Sequence, residues 1–173
     1  MKQKNIIYGV VLTLASSIFV AGCGGGSAAA PVISSTPVNV SLPANGGAAT
    51  ATANGASALY INDGLTTTTN SWTGVATNDS VTVTFNKVYS VSKFTLYLNA
   101  TNTIDTKIQV SADGTTYSDL TLLSGTCSSV TIGSGKIDCT FITNRNLKAM
   151  RVVILNTAAP SNIQLYELEA TGL

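Results

Sequence analysis

The sequence predicts an all-β protein, an antiparallel β-sandwich or jelly roll of about eight strands. Three observations carry that expectation. Short runs alternate strictly between apolar and polar residues, as in Val81-Thr82-Val83-Thr84-Phe85. Turn-forming residues punctuate the runs, as at Asp113-Gly114 and Gly133-Ser134-Gly135. No long helical periodicity follows residue 22. Residues 107–120 show the pattern most compactly. Ile108 and Val110 alternate with Gln109 and Ser111, Asp113-Gly114 tolerates positive φ, and Tyr117 and Leu120 resume the apolar pattern. This is a hairpin encoded locally.

Taken in order, the chain opens on a positive head containing Lys2 and Lys4, then an apolar run over residues 6–20. That is the layout of a secretory signal, and the run is short for a membrane span. It closes on Val20-Ala21-Gly22-Cys23, which resembles the lipobox of bacterial lipoproteins. The resemblance implies a signal peptide over residues 1–22, cleavage before Cys23 and acylation of that residue. Each buried methylene contributes about 0.8 kcal/mol, so one acyl chain holds marginally while two or more anchor stably. An ordinary signal peptide that contains a cysteine, or an uncleaved anchor, is the competing reading. Gly24 in place of an aspartate points, by the same resemblance, to the outer membrane of a bacterial cell envelope. Residues 23–39, rich in Gly, Ser, Ala and Pro, are expected to form a flexible tether, leaving residues 40–173 for the folded domain.

Residues 38–42 alternate weakly, as a first edge strand would, and residues 45–55 are small and polar without a clear pattern. Ala58-Leu59-Tyr60-Ile61 begins apolar and turns at Asn62-Asp63-Gly64, ahead of a threonine-rich loop that runs to Trp72. Residues 81–85 form one strand, and Phe94, Leu96 and Leu98 mark the next. Residues 99–105 are a polar loop. Residues 126–141 form a hairpin that places Cys127 and Cys139 face to face. In an exported protein these read as a disulfide, whereas a thiolate metal site would need more ligands than two cysteines supply. Residues 150–155 are a continuous apolar run suited to a central strand, and residues 163–173 alternate again to the end.

Composition removes several function classes. The 173 residues provide for one domain with a proper core, and only 10% are charged. Of nine basic residues, the loss of Lys2 and Lys4 would leave seven against eight acidic ones, a net charge of −1. With no basic patch, nucleic acid is not an expected partner. There is no histidine, which excludes Ser-His-Asp and Cys-His catalysis and His-ligated zinc or haem.

The order of motifs resembles the F5/8 type C, discoidin-like domain, in the galactose-binding-like fold shared with family 32 carbohydrate-binding modules. The residues concerned are the Asp63-Gly64 loop before Trp72, the strand at 81–85 followed by Lys87-Val88-Tyr89, and Ser111-x-Asp113-Gly114-x-x-Tyr117. An Arg-Val-Val strand and the terminal Glu167-Leu168-Glu169-x-x-Gly172 complete the set. The resemblance covers about residues 40–173 and implies eight strands with ligand taken by loops at one end. It also implies a structural calcium ion held by Asp63, Thr68 and Glu167, where carboxylates and a hydroxyl suit a hard cation. Leu65 stands where a second acid is common, and the alternative makes Asp63 a turn residue and Glu167 a solvated strand residue. The resemblance further places Trp72 and Tyr117 in the core.

For a sugar ligand, the polar and aromatic side chains on offer are Asn70, Tyr97, Asn99, Asn102 and Arg145. Asp63, Asp79, Asp113 and Asp138 read as acids of turns or strand edges, and nothing promotes a carboxylate pair to catalysis. The expected function is therefore a membrane-anchored, non-catalytic surface binding module that recognises a carbohydrate or cell-surface component. The alternative is an accessory envelope lipoprotein that uses the sandwich for protein contacts.

Overall fold

The computed structural model describes residues 36–67, 69–99, 106–122, 125–133, 135–155 and 163–173. Cys23, Thr68 and Asn102 lie outside the described residues, as do the signal peptide and most of the tether. Ser34–Leu173 forms one compact unit, which holds every element named below. Among the described residues no helix is long and apolar enough to cross a membrane.

Among the described residues nine strands carry the fold: β1 Val38–Asn39, β2 Gly47–Ala51, β3 Trp72–Thr73, β4 Ser80–Leu98, β5 Thr106–Ser111, β6 Ser118–Asp119, β7 Cys127–Gly133, β8 Lys136–Ile154 and β9 Gln164–Gly172. All pairings are antiparallel. The small polar stretch without a clear pattern contains β2, paired to β4 from Gly47↔Phe85 to Ala51↔Val81. Conversely, the expected edge strand at 38–42 shrinks to two residues, and the second arm of the central hairpin to Ser118–Asp119. The expected turn at 62–64 is preceded by a 3₁₀ helix, Gly55–Asn62.

β4 and β8 each serve both layers. The first half of β4 pairs with β2 and with the last residues of β8, which in turn hold β5 and its partner β6. The second half of β4 pairs with β9 and with the first residues of β8, whose other edge holds β7. Between the halves the register breaks twice. Thr84 to Tyr89 spans only Ala149 to Leu147, and Val91 to Lys93 spans Arg145 to Thr140. Extra residues inserted first on one strand and then on the other bend the ladder at both places, turning one hydrogen-bonded network into a sandwich.

Alternation decides what lies between the layers. Val81, Val83 and Phe85 of β4, Ile108 and Val110 of β5, and Met150, Val152 and Ile154 of β8 point inward from one sheet. Phe94, Leu96 and Leu98 meet them from the other, with Ile137, Cys139, Leu165 and Leu168. Each such side chain contributes about 1.5–3 kcal/mol on burial. Trp72 is fully buried, as expected, and its indole N–H donates to the Ala53 carbonyl at 2.8 Å, satisfying the ring's polar atom. Tyr117 departs from expectation. It is half-buried outside the sandwich, with the Arg151 guanidinium 3.9 Å from its ring centroid.

Cys127 and Cys139 form the expected disulfide, with Cα atoms 5.6 Å apart. They do not sit directly opposite: Cys127 faces Phe141 and Cys139 faces Val130. Closing a loop of this size constrains the unfolded chain by about 3 kcal/mol. Replacing Cys127 with Ser and Cys139 with Ala should therefore lower the unfolding free energy by about 3 kcal/mol. Urea melts of oxidised protein, reduced protein and the double variant measure this. A variant as stable as the oxidised protein would show that the bridge contributes nothing.

Candidate functional site

Two places in the sandwich gather chemistry. The first is the loop that follows the 3₁₀ helix Gly55–Asn62. Asn62 is buried, and its amide donates to the Ser41 carbonyl at 2.8 Å, pinning the helix end to the chain near β1. Asp63 accepts the Leu65 N–H at 2.8 Å, and Gly64 takes φ +84°, a left-handed conformation that a side chain would strain. The Gly64 N–H then donates to Oε2 of Glu167 at 3.2 Å. Glu167 is fully buried, and its Oε1 has no hydrogen-bond partner. The solvated strand residue considered as an alternative is thus ruled out.

Burial is the main cause that pushes the Glu167 carboxyl up to about 8, with the Gly64 amide opposing and the charges of Asp63 and Glu169 adding to it. Asp63 and Glu167, two of the three residues expected to hold calcium, are brought together. An orphaned carboxylate oxygen beside a second acid suits a hard cation. Among the described residues no three His, Cys, Asp or Glu side chains converge on a metal position, so other ligands would be carbonyls, hydroxyls and water.

Tyr97 stands opposite Glu167 on β4, and its hydroxyl donates to Glu169 Oε2 at 3.4 Å. Burial first, then the Glu169 charge, raises that phenol above its usual range. On the same face Asp138 accepts from Thr95 at 2.8 Å and meets Lys93 at 3.0 Å and Lys136 at 3.4 Å. Burial works against its ionisation, but these partners prevail and its pKa falls. Asp138 is therefore a strand-interior acid neutralised by lysines, where a turn or strand-edge position was expected.

The second place is an open cleft of about 430 Å³ between the 112–118 turn and the bend of β8, lined by Asp113, Thr116, Tyr117, Arg145 and Asn146 among others. In the turn, the Ser111 hydroxyl and the Thr115 and Thr116 amides all donate to Asp113 Oδ1, at 2.9, 2.7 and 2.7 Å. The Thr116 amide, followed by Thr115, holds the Asp113 carboxyl far below the usual carboxylate range. The Arg145 guanidinium lies 5.4 Å from the Phe141 ring centroid.

Among the described residues of the five singled out for sugar binding, Arg145 stands apart from Tyr97 and Asn99. Arg145 pairs with Val91, eight residues before Asn99 on β4, a separation of about 26 Å along the strand. Asn99 Oδ1 accepts the Gln164 N–H at 2.7 Å, extending the β4–β9 ladder by one side-chain bond. Asn70 is half-buried in the loop ahead of Trp72. Asp113, Tyr117 and Asn146, the neighbours of Arg145, were not among the five. The Asp-Gly turn and Tyr117 are visible as sequence features, but only the bend of β8 brings Arg145 to them.

Glu167 supplies a pH dependence whose sign follows from linkage. Its carboxyl titrates near 4.5 when unfolded and near 8 when folded, so the folded chain holds the extra proton between those values. Stability without divalent metal should therefore fall as pH rises from about 4.5 toward 8. The loss should be on the order of a few kcal/mol. Glu167→Gln should remove that slope and exceed the parent protein in stability above pH 8. Melts in chelator across this range test it, and parallel curves for the two proteins would refute the assignment.

No family model matches the sequence, and no curated protein matches it. Solved structures do. A variant of chitosan-binding module 1, derived from chitosanase/glucanase from Paenibacillus sp. IK-5, superposes with TM-score 0.59 at 26% identity, covering 79% of this chain and 100% of the module. The family 32 module from Clostridium perfringens NanJ, solved with galactose, gives 0.57 at 13% identity, covering 79% and 99%. The module CpGH89CBM32-6 from Clostridium perfringens gives 0.59 at 15%, covering 77% and 98%. The chain has the discoidin-like, galactose-binding-like β-sandwich fold of the family 32 carbohydrate-binding modules.

Proposed function

We propose that this chain is a lipid-anchored, non-catalytic carbohydrate-binding module displayed on a bacterial cell envelope, at the outer membrane. The observation that carries the reading is the superposition on the Paenibacillus chitosan-binding module, which is matched over its whole length at 26% identity. The Cys23 lipobox and the residue 23–39 tether support display at a membrane. The state of the acids supports binding without turnover. Asp79 is stabilised as a carboxylate by the Val75 and Ala76 amides, and Asp119 chiefly by the Gln109 side chain, so neither is poised as a proton donor. Glu167 is raised but fully buried, away from any substrate.

A calcium ion held by Asp63 and Glu167, with Thr68 from the same loop, completes the reading. When bound, it would supply the positive charge that the buried carboxylate lacks. Asp63 and Gly64 position the loop over β9, and Glu167 presents its unpartnered oxygen.

The full-length chain, purified in a detergent without sugar headgroups, should bind at least one glycan saturably on a neutral and amino-sugar array. Failure across the array, with co-purification of an envelope complex instead, would favour the protein-contact alternative. Calcium should raise the melting temperature by several degrees, and chelator or Glu167→Gln should abolish the increase. An equal shift with the Gln variant would move the ion elsewhere.

A further inference from the structure

The cleft between the 112–118 turn and the bend of β8 contains an acceptor and a donor that do not neutralise each other. Asp113 and Arg145 line the same cavity of about 430 Å³, yet no ion pair joins them. The three ion pairs among the described residues involve Lys93, Lys107 and Lys136. Each group is held in place by its own neighbours, Asp113 in the turn after β5 and Arg145 on β8. Asp113 is fixed by three bonds that end on Oδ1 and by the Thr116 side chain. As an exposed carboxylate with two acceptor oxygens, it keeps capacity to accept further bonds. Arg145 is held against the Phe141 ring. Asn146, exposed on the same bend, adds an amide that can donate and accept. Tyr117 supplies an apolar wall, its hydroxyl directed to the Gly114 carbonyl at 3.4 Å.

Charge arithmetic selects the ligand. A phosphate or sulfate that approached Arg145 would meet the Asp113 carboxylate, and an ammonium that approached Asp113 would meet the guanidinium. A hydroxyl both donates and accepts, so two adjacent hydroxyls can satisfy carboxylate and guanidinium together without net charge. Because both protein groups are already held in place, little side-chain freedom remains to be lost on binding.

We propose that this cleft is a binding subsite for the vicinal hydroxyls of a neutral sugar, with Asp113 as acceptor and Arg145 and Asn146 as donors. This rests on the carbohydrate-binding reading and adds to it a place and a chemical class. The site lies at the bend of the sandwich, about 26 Å along β4 from Asn99.

The test uses the full-length chain in sugar-free detergent, titrated calorimetrically with a panel of neutral monosaccharides that includes galactose, with glucosamine and with inorganic phosphate. Asp113→Asn retains an Oδ1 acceptor for the turn amides, and Arg145→Ala lies on the surface, so matched melting curves verify folding. The expected result is binding of a neutral sugar, weakened about tenfold or more in each variant and unchanged in Val75→Ala, at an exposed residue outside the cleft. Neutral-sugar binding that survives both substitutions would overturn the subsite while the carbohydrate-binding function stands. Phosphate or glucosamine binding that depends on these residues, without any neutral-sugar binding, would overturn the ligand class. No sugar bound by the parent protein would remove both readings.

Discussion

The β4–β8 ladder is the constraint on which the rest of the structure depends. Two long strands pair in each sheet, and every other strand except β1, β3 and β6 hydrogen-bonds directly to one of them. The ladder begins at Ser80↔Val153 and ends at Tyr97↔Lys136, with its two register breaks between. Without those breaks the apolar residues of the two halves could not face each other. Phe94, Leu96 and Leu98 would extend one flat sheet instead of closing over Val83 and Met150.

The same bends create surface. Where β8 crosses between layers, Arg145 and Asn146 emerge beside the 112–118 turn, and a cleft opens that neither flat sheet would have offered. The opposite edge of the fold solves a different problem. β9 carries Glu167 and Glu169 on one face, and the Asp63-Gly64 loop covers the first while leaving the second half exposed beside Tyr97. Two glutamates that alternate identically therefore acquire different electrostatics. One is driven toward its neutral form or toward a cation, and the other lies half-exposed and accepts from a phenol.

Much of this fold was legible in the chain. Period-two alternation marked the inward faces of β4, β5 and β9, and two cysteines in a chain expected to be exported marked the bridge. Alternation failed where burial came from elsewhere. Gly47-Ala48-Ala49-Thr50-Ala51 carries almost no apolar signal, yet it is a strand because β4 offers it a complete edge to pair with. Tyr117 looked like a core residue from its place in the motif but packs outside, because Arg151 on the neighbouring strand provides a partner for its ring. Arg145, Asn99 and Tyr97 looked equivalent as polar surface candidates, and the ladder separates the first from the others.

By itself the sequence determined the strands, the tight turns, the disulfide, and an export signal with a lipid attachment cysteine as expectations. These depend on residues near one another or on residue type alone. Only the tertiary structure decided which carboxylate is buried, which aromatic is in the core, and which acid shares a cleft with which arginine. Alternation encodes the side of a strand to which a residue points. Whether that side is covered, and by what, depends on an element distant in sequence: Gly64 is laid over Glu167, and the bend of β8 is laid beside Asp113.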